Sequence, residues 1–249
     1  MKSNIAISTI TSYKNLDETR FKLTCRMFQK AKEAGYPVFA IDNSPKEIRN
    51  ELESTGANVY ECPEHGMGAE RRSSVWYASK FIKRFDSSEI PSIIIMTEPE
   101  KDALIQWIPK ITEPIIDGTA DIVIPSRTDV GFESFPWFQA ESEKIADMIY
   151  SELIGVDADP FLGPVAFRSD IAPRFYNCNP AEYGLEDNYI QFVAPIVAKK
   201  DGLKVYPVRI DFIYPPEQKA EEEGSRFSEM VKRRQWQQKQ LIKTFLKLR

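Results

Sequence analysis

The chain has 249 residues, 42% of them hydrophobic and 28% charged, a composition that suits a globular protein with one large core or two small ones. Its net charge of −4 is unevenly divided: residues 225–249 hold eight lysines and arginines against one glutamate, so the tail carries +7 and the other 224 residues −11. An acidic body argues against a general nucleic-acid binder, whose footprint is basic. The tail leaves open a membrane-facing segment, a nearby anionic ligand or a solvated helix.

Cys25, Cys62 and Cys178 are too few and too scattered for a disulfide framework, so reduced thiols are expected. No apolar run approaches the roughly 18 residues of a membrane span, which makes a cytoplasmic protein without membrane contact the expectation. With His65 as the one histidine, a multi-histidine zinc site is excluded, as is any Ser-His triad built elsewhere. Lacking a second histidine, His65 reads as a polar loop residue.

In chain order, Ile5–Ser8 reads as a strand, and Phe21, Thr24, Cys25, Phe28 and Ala31 space out a helix over Leu16–Ala34. Gly35 and Pro37 then lead into the strand Val38–Ile41, which stops at Asp42-Asn43-Ser44-Pro45. A short helix through Ile48 and Leu52 precedes the strand Asn58–Tyr60. After the Gly66/Gly68 loop, Val75, Ala78, Ile82 and Phe85 mark a longer helix. Ile93–Met96 is apolar on both faces, as a central parallel strand must be. The alternation continues with a helix near Ala103–Trp107, a strand Asp121–Ile124, a helix through Ile145–Leu153 and a strand Pro164–Phe167. A helix over Tyr189–Val197 and a strand Lys204–Val208 complete it. Pro215–Gly224, with three consecutive glutamates, reads as a mobile polar loop. The pattern predicts a single Rossmann-like α/β domain, residues 1–224, with a mostly parallel central sheet. Residues 225–249 form a basic C-terminal helix; Arg234 and Gln238 interrupt its apolar face, which argues for docking on the same domain rather than on a membrane.

In an open parallel sheet, ligands bind beyond the carboxyl ends of the strands, so the polar strand ends Thr9–Ser12, Asp42–Ser44, Cys62–Arg72 and Thr97–Asp102 should converge. Each has two readings. Asp42-Asn43-Ser44 offers a carboxylate and two short polar side chains, or an Asx turn and helix cap. Gly66 and Gly68 let backbone approach an anion at a helix start, with Arg71 or Arg72 adding charge-assisted bonds, or they make a tight turn. Glu98 and Glu100 could hold Mg²⁺ or Mn²⁺ against phosphates, or place acids at the start of a helix. Glu186-Asp187 precedes a helix and reads as a cap or as an acceptor-binding carboxylate pair.

Together, Ile5–Ser12, Val38–Ser44, Gly66–Arg72, Ile93–Asp102 and Glu186-Asp187 resemble the GT-A fold of nucleotide-sugar glycosyltransferases. With Glu141–Gly155, Asp159–Arg168 and Ile196–Val205, the chain is most similar to the glucosylglycerate/mannosylglycerate synthase-like branch. The resemblance implies transfer of a hexose from a nucleotide diphosphate-sugar to an unidentified acceptor, with oligomer formation left open. It implies that Thr9, Thr11 and Asp42 hold the nucleoside. Gly66, Gly68 and Arg71 or Arg72 would approach the diphosphate, because Met67 stands where the family often has lysine. The Asp-x-Asp motif that binds Mn²⁺ or Mg²⁺ is replaced by Glu98-Pro99-Glu100, and Tyr214 stands near the place of the family's late histidine. Glu186 and Asp187 match the acidic motif facing the acceptor, and the Gln-x-x-Arg-Trp signature of processive members is absent. A second reading is a catalytically degenerate sugar-nucleotide-binding protein of the same fold.

Overall fold

A computed structural model describes residues 4–62, 64, 66–83 and 90–249, with the side chain of residue 244 left aside. His65 and Phe85 lie outside the described residues. Among the described residues, seven strands form one sheet: β1 (Ile5–Thr11), β2 (Val38–Asp42), β3 (Asn58–Tyr60), β4 (Ile93–Met96), β5 (Ile122–Arg127), β6 (Val165–Arg168) and β7 (Val205–Ile210). Their order is β3-β2-β1-β4-β6-β5-β7. The β1, β2, β3 and β4 pairings are parallel, as is β5 with β7, while β6 runs antiparallel to both β4 and β5. The mostly parallel α/β sheet is therefore as expected, with one reversed strand. Every residue of β2, β4 and β5 is buried, which explains the apolar runs Val38–Ile41, Ile93–Met96 and Ile122–Ile124.

Side chains alternate between two cores. Ala6, Phe39, Ile94 and Phe167 face one layer, which receives α3 (Met67–Ile82), α6 (Trp137–Ile154), α8 (Ile190–Lys200) and α10 (Phe227–Leu248). Ile7, Val38, Ile95 and Val208 face the other, with α1 (Thr19–Glu33), α2 (Lys46–Ser54) and α4 (Ile108–Ile116). The helix expected near Ala103–Trp107 is a 3₁₀ turn over Asp102–Trp107 that runs into α4. The remaining short helices are α5 (Asp129–Ser134), α7 (Pro173–Tyr176) and α9 (Pro216–Glu223).

Helix α9 corrects the expectation of a mobile loop over Pro215–Gly224. Proline at its first position already has helical φ, and Glu217 pairs with Arg26 at 2.6 Å. Gln218 and Glu222, one turn apart, are buried on its inner face. Three glutamates in a row read as a solvated loop because nothing local marks which of them turns inward.

Helix α10 lies along α6. Met230, Leu241, Phe245 and Leu248 are buried, while Trp236 is exposed. Arg234 donates to Glu143 Oε1 at 3.1 Å, and Gln238 Nε2 to the Ser142 carbonyl at 2.6 Å, so both polar interruptions of the stripe find partners on α6. Removing residues 225–249 exposes the surface under four buried side chains worth about 1.5–3 kcal/mol each, comparable to a typical domain's whole stability of about 5–15 kcal/mol. Truncation after Gly224 is expected to abolish the cooperative thermal transition measured by circular dichroism.

Asp147, on α6, is buried beside Asp159 and Arg127. Burial, and then the negative charge of Asp159, raises its carboxyl pKa above the ordinary value. The folded state therefore keeps a proton that the unfolded chain releases above about pH 4, and the contribution of this group to stability declines as pH rises beyond that. Asp147→Asn is expected to be more stable than the wild type at pH 8 by about 1 kcal/mol or more, with the difference shrinking toward pH 4, in urea titrations at both pH values.

Candidate functional site at the strand ends

Strand order reverses between β1 and β4, because the chain leaves β1 toward β2 on one side and returns to β4 on the other. Ligands of open α/β sheets bind beyond the carboxyl ends at such a point. A cavity of about 260 Å³ opens there. Thr9 and Ile10 of β1 and the turn Thr97–Lys101 after β4 form its floor. The two strand ends are tied: Thr9 Oγ1 donates to the Thr97 carbonyl at 2.8 Å, and the Thr97 amide to the Ser8 carbonyl at 3.0 Å.

The turn after β4 carries two carboxylates into the cavity. Glu100 is buried, and Arg20 Nε from α1 donates to its Oε1 at 2.6 Å. Burial alone would raise the Glu100 pKa, but the charge and hydrogen bond of Arg20 outweigh it and hold the carboxyl below its ordinary value. Glu98 lies between Arg71 at 3.9 Å and Lys101 at 3.7 Å. Gly163 packs against its carboxylate so closely that a Cβ would collide with it. Oε2 of Glu98 and of Glu100 are both buried without a protein donor. Gln139 Oε1, Asn188 Oδ1, Gln218 Oε1 and Glu222 Oε2 are likewise unpartnered, and all six residues line the same cavity. Such convergence of unsatisfied acceptors marks a site shaped for polar ligands, since burying them unpaired costs about 1–3 kcal/mol each.

The cavity is also electropositive. Among the described residues, six cationic side chains line it against four carboxylates, although the whole chain carries −4. Arg71 projects from α3 and donates to the Asn188 carbonyl and to Gln191 Oε1, joining α3 to the start of α8. Burial lowers its pKa below the usual arginine value. On the opposite wall, Tyr214 donates to Glu222 Oε1 at 3.0 Å, and burial and then Glu222 raise its phenol pKa.

No protein-family model matches the sequence, and no curated protein matches it significantly. Solved structures do share its architecture. Glucosyl-3-phosphoglycerate synthase from Mycobacterium tuberculosis, in complex with uridine-diphosphate, matches with a TM-score of 0.52 at 13% identity, over 98% of this chain and 79% of that one. The same synthase with Mn²⁺, uridine-diphosphate and phosphoglyceric acid gives 0.53 at 11% identity, over 92% and 78%. Mannosyl-3-phosphoglycerate synthase from Rubrobacter xylanophilus gives 0.52 at 15% identity, over 95% and 75%. The chain has the GT-A fold of these synthases.

Within that fold, the residues singled out from the sequence fall into two groups. Thr9, Arg71, Glu98 and Glu100 line the cavity. Thr11, Asp42, Gly66, Gly68, Arg72, Glu186 and Asp187 do not. Asp42 is fully buried and saturated: Thr11 Oγ1 donates to it at 2.8 Å, Ser44 Oγ at 2.6 Å, the Ser44 amide at 3.1 Å and Arg49 Nε at 3.4 Å. It braces the β1 and β2 ends. Arg72 donates both terminal nitrogens to the Asp187 carboxylate, a bidentate pair that raises the arginine pKa. Glu186 is exposed beside it.

Several cavity residues escaped the sequence reading. Arg20, Gln218, Glu222 and Arg233 sit on amphipathic helices as ordinary polar positions, and no spacing links them to the strand ends. Gly68 has a more local role than anion approach, because a Cβ there would collide with the Asp187 carboxylate and backbone carbonyl. Gly68→Ala should force α3 away from Asp187 and cost about 1–3 kcal/mol in denaturant melts.

Proposed function

We propose that the protein is a glycosyltransferase that moves a hexose from a nucleotide diphosphate-sugar to a small hydroxyl-bearing acceptor. The observation that carries this reading is the electropositive cavity at the β1/β4 switch point, floored by Thr9 and the Glu98-Pro99-Glu100 turn. The shared fold supports it, because the synthases that have it bind uridine-diphosphate, as their names record.

In the reaction, the anomeric carbon exchanges its bond to a diphosphate oxygen for one to the acceptor oxygen. The electron pair leaves with the diphosphate, and the hydroxyl proton is released. Charge therefore builds on the leaving group, and preorganised cations stabilise it. Arg71 and Lys101 stand beside Glu98, and Arg20 beside Glu100, so three cavity cations flank the turn. Thr9 and the neighbouring strand ends, with Asp42 bracing them, shape the nucleoside side. Arg72, Asp187 and Glu186 support the α3–α8 wall rather than touch the reacting atoms.

The turn fits a divalent cation. Glu98 Oε2 and Glu100 Oε2 are two carboxylate oxygens without a hydrogen-bond donor on residues that line one cavity, and Mg²⁺ or Mn²⁺ against phosphates commonly takes one or two carboxylates. Among the described residues no group of three histidine, cysteine or acidic side chains converges, so substrate oxygens and water would complete the shell. When bound, such an ion neutralises diphosphate charge. The Arg20–Glu100 ion pair favours a second reading, a nucleotide-sugar-binding protein of the same fold whose metal turn is partly neutralised by protein.

Calorimetry with UDP-, GDP- and ADP-sugars, with and without Mn²⁺, tests both. At least one nucleotide should bind, Mn²⁺ should tighten it, and Glu98→Ala with Glu100→Ala should remove that increment, about tenfold or more in Kd. Failure of every nucleotide sugar to bind sinks the proposal. Tight binding without transfer or donor hydrolysis would leave only the second reading.

A further inference from the structure

Docking on α6 uses one face of α10 and leaves the opposite one to solvent. The apolar stripe that Arg234 and Gln238 interrupt is the docked face, so these two residues speak only against that face as a membrane contact. Lys232, Trp236, Lys239, Lys243 and Leu246 are exposed at intervals of three and four residues, which sets them on one outward stripe. Among the described residues, Arg234 makes the ion pair from α10 to the rest of the domain, and Lys232, Lys239 and Lys243 make none. The outward face of α6 adds apolar surface beside this stripe. The two helices run parallel: Phe227 packs on Phe138 with ring centroids 5.4 Å apart near their starts, and Phe245 on Tyr150 at 5.5 Å farther along. Trp137, Ile145 and Met148 stand exposed on α6, and Phe227, Trp236 and Leu246 on α10, with Met148 74% and Leu246 66% exposed. Six of the fourteen exposed large hydrophobic side chains among the described residues thus sit on helices of 18 and 22 residues in a chain of 249. Apolar side chains scattered singly need no explanation, but a concentration of them marks a contact surface.

Charge selects the partner. The exposed charges of α6 are Glu141, Lys144 and Glu152, and Glu141 is paired with Lys144 at 2.8 Å. On α10, Glu229 is paired with Arg226 at 2.9 Å. Glu152 is therefore the one unpaired acid among the described residues of these faces, against three unpaired lysines. The body carries −11 and is repelled by an anionic surface that attracts the stripe, so the charge split turns α10 toward such a surface. Trp236 and Leu246, interleaved with the lysines, suit a lipid interface: indole rings favour the headgroup level, and lysine stems lie along apolar surface with their ammonium groups at the phosphates. A second copy of the chain, met about a two-fold axis, would set lysine stripe against lysine stripe.

We propose that the outward face of α10, flanked by α6, is a docking surface for an anionic lipid bilayer, with Lys232, Lys239 and Lys243 at the lipid phosphates and Trp236 and Leu246 seated in the interface. The attachment is peripheral, since among the described residues no helix is long and apolar enough to cross a membrane. Arg234, Gln237 and Leu241, which line the cavity, lie on another side of α10, so docking does not use them.

The test is co-sedimentation of the full chain with vesicles of phosphatidylcholine alone and of equal parts phosphatidylcholine and phosphatidylglycerol. The chain should bind the anionic vesicles, bind the neutral ones about tenfold more weakly or worse, and come off the anionic ones at about 0.5 M salt. Each lysine near an anionic surface is worth roughly fivefold in partitioning, so Lys232→Gln with Lys239→Gln and Lys243→Gln should weaken binding about a hundredfold. Trp236→Ala with Leu246→Ala should weaken it about tenfold at unchanged charge. All five side chains are exposed, so both variants should keep the thermal transition of the wild type. The proposal is overturned if the anionic vesicles are not bound, if neutral vesicles are bound equally well, or if either folded variant binds like the wild type. A dimer seen by light scattering and lost in the Trp236→Ala, Leu246→Ala variant would assign the face to a second copy and overturn it as well.

Discussion

Arg127 has no exposed side-chain surface, and the fold is arranged around satisfying it. Its Nε and Nη2 meet the Asp159 carboxylate at 2.6 and 2.8 Å, and its Nη1 meets Glu143 Oε2 at 2.8 Å. The rings of Phe132 and Phe135 lie 4.0 and 4.4 Å from the guanidinium carbon. A guanidinium buried this deeply is tolerable only with such partners, because loss of one partner of a buried pair costs about 3–5 kcal/mol. The constraint locks the end of β5 to α6 and to the segment leading into β6. Glu143 then passes it on, since its second oxygen takes Arg234 of α10 and Gln139 of α6. The last helix is thereby pinned to the core by charge as well as by its apolar face.

That chain of contacts ends in the cavity, where Gln139, Glu143 and Arg234 form part of the wall. The interior of an acidic protein thus presents a positive pocket, because arginines from α1, α3 and α10 are brought over a turn that carries two glutamates. Opposite charges are held close but incompletely paired. Glu100 gives one oxygen to Arg20 and keeps the other without a hydrogen-bond donor, while Glu98 meets Arg71 and Lys101 only at ion-pair distance, its Oε2 also lacking a donor. This partial pairing is what makes the pocket suited to a ligand rather than to a closed salt-bridge network.

The central sheet was readable because its signal is local. β2, β4 and β5 are buried on both faces, so Val38–Ile41, Ile93–Met96 and Ile122–Ile124 are apolar without interruption, and the intervening helices keep a 3.6-residue period. The polar strand ends follow from the same pattern, which is why Thr9, Arg71, Glu98 and Glu100 could be named in advance as cavity residues. Asp42 and Asp187 were equally visible as acids at element ends. Whether an acid at an element end meets ligand or protein depends on partners far away in the chain, such as Thr11 for Asp42 and Arg72 for Asp187.

The sequence by itself determined the alternation of strands and helices, the polar edge of the sheet and the charge split between body and tail, because each is written in near neighbours. Only the tertiary structure decided that β6 runs backwards, that Pro216–Glu223 is a helix, and that Arg20, Gln218, Glu222 and Arg233 share one cavity. Those outcomes turn on pairings between residues scores of positions apart, as Arg20 and Glu100 are, and no local spacing encodes which polar face of a helix turns inward.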